Sequence, residues 1–292
     1  MPPALDELRT LLESVYTDCH RPELIDPDPV LVVREYPEGP DREIAALFCS
    51  MFALGRAGAI VVACRKALKP FGPHLRESLL DLDSMGTELL LKGFVYRFFV
   101  ATDAAALLRA SALLSREYGS LEALFLASDS KVPVTTKPRY MGPAGITLSR
   151  SDTFIDRIHA EASAQLILGH ARSKTDQVPR ALTPNLLSAP RDGSACKRLM
   201  LFLRWMVRKD RIDPGGWTGV SPRELIVPLD THMHRTAQTL GLTGRSAPDL
   251  RAALETTDSL REFDPEDPVR FDFSLVRLGI RSDYRLSQYY CP

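Results

Sequence analysis

The sequence lacks the spacing of a metal–thiolate cluster. Its five cysteines, Cys19, Cys49, Cys64, Cys196 and Cys291, are scattered and never stand as C-x-x-C. That excludes a zinc ribbon or an iron–sulfur centre of that kind and leaves reduced, buried thiols as the expectation. Long apolar runs are also missing. None reaches the ~18–20 residues that a membrane span needs, and the opening MPPALDELRT has no signal-peptide core. A soluble, cytoplasmic chain with no membrane partner is expected. Charge of one sign is not in excess: 37 Lys and Arg balance 37 Asp and Glu. A polyanion is therefore not invited by the whole surface, and any basic footprint must be local. Internal repeats, low-complexity tracts and convincing period-two alternation are absent, which argues against solenoids and β-rich folds.

Helical periodicity is what remains. The 292 residues are 45% hydrophobic, enough for one large domain or two intimate ones. Leu5, Leu8, Leu11, Leu12 and Val15 repeat at helical intervals within 3–17. Residues 41–55 read as an almost wholly apolar helix with an acidic first turn, closed by Gly55. Further helices are expected over 57–69, 75–82, 86–98, 102–117, 120–127, 151–168, 246–255 and 267–279. Residues 21–40 and 128–150 read as loops, and 170–185 as a polar stretch. The predicted class is all-α.

Two stretches carry candidate chemistry. In GSACKRLMLFLRWMVRK (193–209), Lys197, Arg204 and Arg208 fall within ~40° of one another on a helix whose remaining circumference is apolar. Residues 191–211 hold seven Lys or Arg against two Asp. Gly193 allows close backbone approach, and Asp192 or Ser194 is placed to cap the helix, whose first amides attract an anion. The alternative is a core helix with snorkelling arginines. In VPLDTHMHRTAQTLGL (227–242), Pro228 blocks propagation, Asp230 stands at the N-cap, and Gly241 ends the helix. Asp230 is thus a cap, or a rigidly held carboxylate facing the lysine. His232 and His234 would share a metal on a strand but point ~200° apart on a helix, so no metal site is assigned. Trp205, Trp217, Phe271 and Phe273 read first as packing residues.

Taken together these segments resemble the helix–hairpin–helix superfamily of DNA glycosylases, the relatives of endonuclease III and 8-oxoguanine DNA glycosylase. DREIAALFCSMFALGRAGAIVVACRKAL (41–68) is similar to an early helix pair of that family. LKGFVYRFF and the helix ending EYGSLEALF (91–125) resemble its middle helices. SAPRDGSACKRL (188–199) stands where the hairpin and its lysine belong. PLDTHMHRTAQTLGL (228–242) is similar to its V-D-T-H…R-L-G-L segment, and DPVRFDFSLVRLGI (267–280) to its final helix. The chain most resembles a branch marked by FLRWMVR and PLDTH. It departs from the usual L-P-G-V-G-x-K hairpin, which is longer here and has one glycine. It also lacks the C-terminal four-cysteine cluster, and no glutamine stands in the early helix.

The resemblance implies a two-lobed fold with a cleft: residues 36–212 as a central bundle including the hairpin, and 1–35 with 213–292 as a second lobe. It implies action on double-stranded DNA with a damaged base, nucleoid-associated if bacterial, without a cofactor, and a monomer is expected because a lesion has no two-fold symmetry to mirror. Lys197 would be the nucleophile and Asp230 the essential carboxylate. Gly193, Ser194, Arg198, Arg204, Arg208 and His232 would contact DNA, and Trp217 and Asp272 are candidates for the base pocket. Asp272 also reads as part of a solvated helix face. The expected reaction is excision of an oxidised base, 8-oxoguanine first, by lysine attack at C1′ and Schiff-base formation. A non-catalytic DNA-binding module, a monofunctional glycosylase and a metal hydrolase using the two histidines are the competing readings.

Overall fold

A computed structural model describes residues 3–128, 142–173, 181–280 and 285–289. The chain is predominantly helical, with thirteen α-helices and one two-stranded hairpin among the described residues. It divides into two compact units. One comprises residues 1–25, 135–148 and 190–292; the other comprises 26–134 and 149–189.

The second of these is built on α2 (Val30–Arg34), α3 (Pro40–Met51), α4 (Ala57–Leu68), α5 (Leu75–Asp81), α6 (Ser84–Leu90), α7 (Ala101–Tyr118), α8 (Leu121–Ala127) and most of α9 (Gly145–Ser173). Helix α7 is alanine-rich and buried along most of its length, so α3, α5, α6 and α8 pack closely on it. Phe48 and Phe52 stack at 4.4 Å, and Phe94 and Phe99 meet Phe52 edge-on at 5.7 and 5.1 Å. Buried Glu43 caps a neighbouring helix by accepting from the backbone N–H of Leu121 and Glu122 at 2.8 and 3.1 Å.

The first unit contains α1 (Leu5–Cys19), α10 (Lys197–Val207), α11 (Thr231–Thr239), α12 (Leu250–Arg261) and α13 (Asp272–Ile280). Helix α13 packs between α1 and α11. The close approach to α11 needs a residue without a side chain: a Cβ on Gly279 would lie 3.2 Å from the His232 Cβ.

Four expectations need correction. Residues 86–98 are not one helix. Helix α6 ends at Leu90, Gly93 takes φ +77°, and β1 (Val95–Tyr96) pairs antiparallel with β2 (Phe99–Val100). Two residues per strand are too few to produce a period-two signal. Residues 30–34, expected in a loop, form α2. The boundary between units also falls elsewhere: the hairpin region and lysine helix, residues 190–212, belong with the chain termini. The reason is the ion network described below, which ties α10 to residues after 212. Residues 145–150 of the predicted loop 128–150 and 170–173 of the polar stretch 170–185 are helical, as the two ends of α9, while residues 129–141 and 174–180 lie outside the described residues.

Candidate active site

Lys197 is the first residue of α10 and Asp230 the N-cap of α11. The Lys197 Nζ lies 3.2 Å from the Asp230 Oδ2. The other carboxylate oxygen, Oδ1, accepts from the backbone N–H of His232 and Met233, both at 2.9 Å. Asp230 is therefore cap and counter-ion at once. The proline before it and the Asp–Thr start explain why the helix begins here. Burial opposes ionisation of Asp230, but the Lys197 charge and the Met233 amide outweigh it and hold the carboxyl below its ordinary pKa. Both groups stay reachable, with side-chain exposures of 33% and 20%. The site thus offers an amine and a fixed carboxylate, side by side, at the positive ends of two helices.

The segment before Lys197 differs from expectation. A short 3-10 turn at Pro190–Asp192 is closed by the Gly193 N–H, which donates to the Pro190 carbonyl at 2.9 Å. That amide is committed inside the turn and does not face a ligand. Gly193 does need its glycine, at φ +77°. Neither Asp192 nor Ser194 caps α10. The N-cap is Cys196, in the left-handed region at φ 45°, and it makes no side-chain cap bond. The Ser194 hydroxyl instead accepts from the Cys196 N–H at 3.2 Å. Ser194 also bridges to Asp249, and the Leu250 N–H donates to the Gly193 carbonyl at 3.0 Å, anchoring the segment to the start of α12. Arg198, beside the lysine, is half-buried, and burial pushes its pKa down against the opposing effect of Cys196.

Arg204 and Arg208 do not share a stripe with Lys197 on the surface. Their relative exposures are 3% and 4%. Arg204 donates to the Asp213 Oδ1 from Nε at 3.2 Å and from Nη2 at 2.9 Å, and pairs with Asp272 through Nη1. Arg208 pairs with Asp213, with Asp210 at 2.8 Å and with Asp267 at 2.9 Å. Asp210 in turn lies 3.1 Å from the His20 Nε2. The DPGGW joint makes this possible by folding back along α10: the Gly215 and Trp217 N–H groups donate to the carbonyls of Trp205 and Met206. Two guanidinium groups cannot remain buried without such partners. Their assignment as DNA contacts is withdrawn, as is the reading of Asp272 as solvated.

Asp272 is 1% exposed. Its pKa is raised to about 6, chiefly by burial, with Arg204 opposing and the Asp230 and Asp213 charges adding to the rise. Trp217 is buried edge-on against Phe202 at 5.2 Å and packs the lysine helix. His232 is exposed beside Asp230. His234 is buried and its ring Nε2 lies 3.0 Å from the Arg245 carbonyl, so the two histidines serve different environments. Sequence reasoning missed Asp210, Asp213, Asp267 and His20. The acids at 210 and 213, just past the arginines, were a local signal; Asp267 and His20 had none.

No curated protein and no solved structure matches the chain. Residues 28–281 match the family described as Protein of unknown function (DUF2400), and the chain belongs to that family.

Proposed function

We propose that the protein is a DNA glycosylase with abasic-site lyase activity, acting on an oxidised base, 8-oxoguanine first. The observation that carries this reading is the Lys197–Asp230 pair: an amine and a carboxylate 3.2 Å apart, both partly open to solvent, at the starts of two helices. The helix–hairpin–helix resemblance of the surrounding segments supports it, and with it a two-lobed arrangement, a duplex DNA partner and a monomer in the cytoplasm.

Lys197 loses a proton to solvent and its lone pair attacks C1′ of the flipped nucleotide. A C–N bond forms to lysine while the bond from C1′ to the base breaks, and the base leaves with a proton. Opening of the sugar ring gives an imine. Loss of the C2′ proton then expels the 3′-phosphate, and hydrolysis returns the amine. Asp230, held ionised, sets negative charge beside C1′ where positive charge develops, and its two amide bonds fix its position beforehand. The buried arginine network stiffens α10 beneath the lysine rather than touching DNA.

The test is borohydride trapping with duplexes containing one 8-oxoguanine or one abasic site. Wild type should form a covalent complex, and Lys197→Gln should not. Trapping on the abasic duplex alone would keep the lyase step and remove 8-oxoguanine as substrate. Continued base release without trapping would make the enzyme monofunctional. Neither trapping nor base release would end the enzymatic reading.

A further inference from the structure

We infer that Cys49 and Cys64 form a modification site, where a hydroperoxide closes a disulfide that ties α3 to α4. The inference stands apart from the DNA reading above. Cys49 lies near the end of α3 and Cys64 in the second half of α4, and the five residues 52–56 join the two helices. The helices pack on one another, and both thiols are buried completely. The Cys49 thiol hydrogen-bonds to Cys64. Two sulfur atoms in that contact need only a small closing movement to reach the ~2 Å of an S–S bond.

The surroundings keep the pair reduced at rest. Burial pushes the Cys49 thiol well above its ordinary pKa, and the bond to Cys64 and the Glu35 charge add to the rise. A protonated thiol is a poor nucleophile, so the closed fold is unreactive. Among the described residues no group of three His, Cys, Asp or Glu is placed to hold a metal, so the thiols are not explained as metal ligands. Access comes through α4. It packs mainly on α2, α3 and the turn that follows it. Its outer face shows Ala59, Val62, Arg65 and Lys66 to solvent. A peripheral helix of twelve residues opens locally at lower cost than a buried one such as α7.

In the opened state one thiol ionises and attacks the hydroperoxide. An S–O bond forms, the O–O bond breaks, and an alcohol leaves with a proton. The sulfur, now a sulfenic acid, has lost two electrons to the peroxide. The second thiolate attacks that sulfur as α4 closes. The S–S bond forms, the S–O bond breaks, and hydroxide leaves with the proton of the second thiol as water. Two thiols and one hydroperoxide thus give a disulfide, an alcohol and water, and a dithiol reverses the change. The contact between the thiols lets this second step outrun further oxidation. Cys19 gives the contrast: it is equally buried, but its thiol hydrogen-bonds with Tyr289, which cannot resolve a sulfenic acid.

The experiment treats the reduced, full-length protein with tert-butyl hydroperoxide in buffer and in sub-denaturing urea. Remaining thiols are then alkylated in denaturant and the chain is digested with trypsin. Cleavage after Arg42, Arg56 and Arg65 puts Cys49 and Cys64 in separate peptides, 43–56 and 57–65. Those two should appear joined, with the mass of two hydrogens missing, ahead of any oxidation of Cys19. The joined species should form faster in urea and disappear with dithiothreitol. The oxidised protein should melt about 5 °C higher than the reduced one, because the crosslink closes a loop in the unfolded chain. Cys64→Ser should give no joined peptide and let Cys49 proceed to sulfinic acid. Should that variant not fold, the wild-type peptide map decides alone. Sulfinic acid on Cys49 or Cys64 of the wild type without the joined peptide overturns the site. So does linkage of either to Cys19, Cys196 or Cys291 instead, or full alkylation of both after peroxide in urea.

Discussion

Replacing Arg204 with methionine tests whether the arginines of α10 serve the fold or the ligand. The substitution keeps the length of the side chain and removes the charge. It leaves Asp213, fully buried, and Asp272, nearly so, without the guanidinium that bridges them. Breaking one partner out of a buried ion pair typically costs ~3–5 kcal/mol, because the remaining charge stays desolvated. In a protein of this size that lowers the thermal midpoint by on the order of 10 °C. Urea unfolding at pH 7, followed by circular dichroism, measures the loss directly. The deficit should shrink in acid, where the orphaned carboxylates take up protons. In parallel, on the proposed DNA reading, the salt dependence of binding by the folded fraction should not change, because Arg204 is engaged by Asp213 and Asp272. A loss below ~1 kcal/mol, together with a salt slope reduced by about one, would refute the reasoning and make Arg204 a phosphate contact after all.

Asp230→Asn should abolish borohydride trapping with a stability change under ~1 kcal/mol, since asparagine still caps α11; retained trapping would remove the carboxylate from the mechanism. Asp272 titrates higher when folded, about 6, than the ~3.9 of an unfolded chain. The folded state therefore binds the extra proton between those values, and stability from this group falls as pH rises through that window, by up to ~3 kcal/mol. Asp272→Asn removes that slope, so the variant should gain on wild type between pH 4 and pH 7 in urea titrations; the opposite trend would mean that Arg204 dominates burial. Gly215→Ala places a Cβ 2.7 Å from the Lys209 Cβ at φ +65°, whereas Gly193→Ala meets nothing within 4 Å at φ +77°. Both should lose ~1–2 kcal/mol for the left-handed backbone, and Gly215→Ala more; equal midpoints would show that the DPGGW joint yields easily.

The sequence by itself determined the helical class and most helix positions. Leu8, Leu11, Leu12 and Val15 face inward on α1 as their spacing requires. It also determined the start of α11, because a proline two residues upstream and an aspartate at the cap are local signals. Asp230 could be placed at a helix start from its own segment, whereas naming Lys197 and Asp230 together as a site came from the helix–hairpin–helix resemblance, because the cap expected for the lysine helix at Asp192 or Ser194 is not the one that forms. The tertiary structure decided what depends on residues far apart in the chain. A basic stripe read on one helix cannot show that Asp267 and Asp272, some sixty residues on, neutralise it. Nor can periodicity show a hairpin two residues deep at 95–100, or that the Gly193 amide closes its own turn. Local propensity sets where a helix runs. Burial decides which of its charges remain for a ligand, and burial is a property of the packed chain.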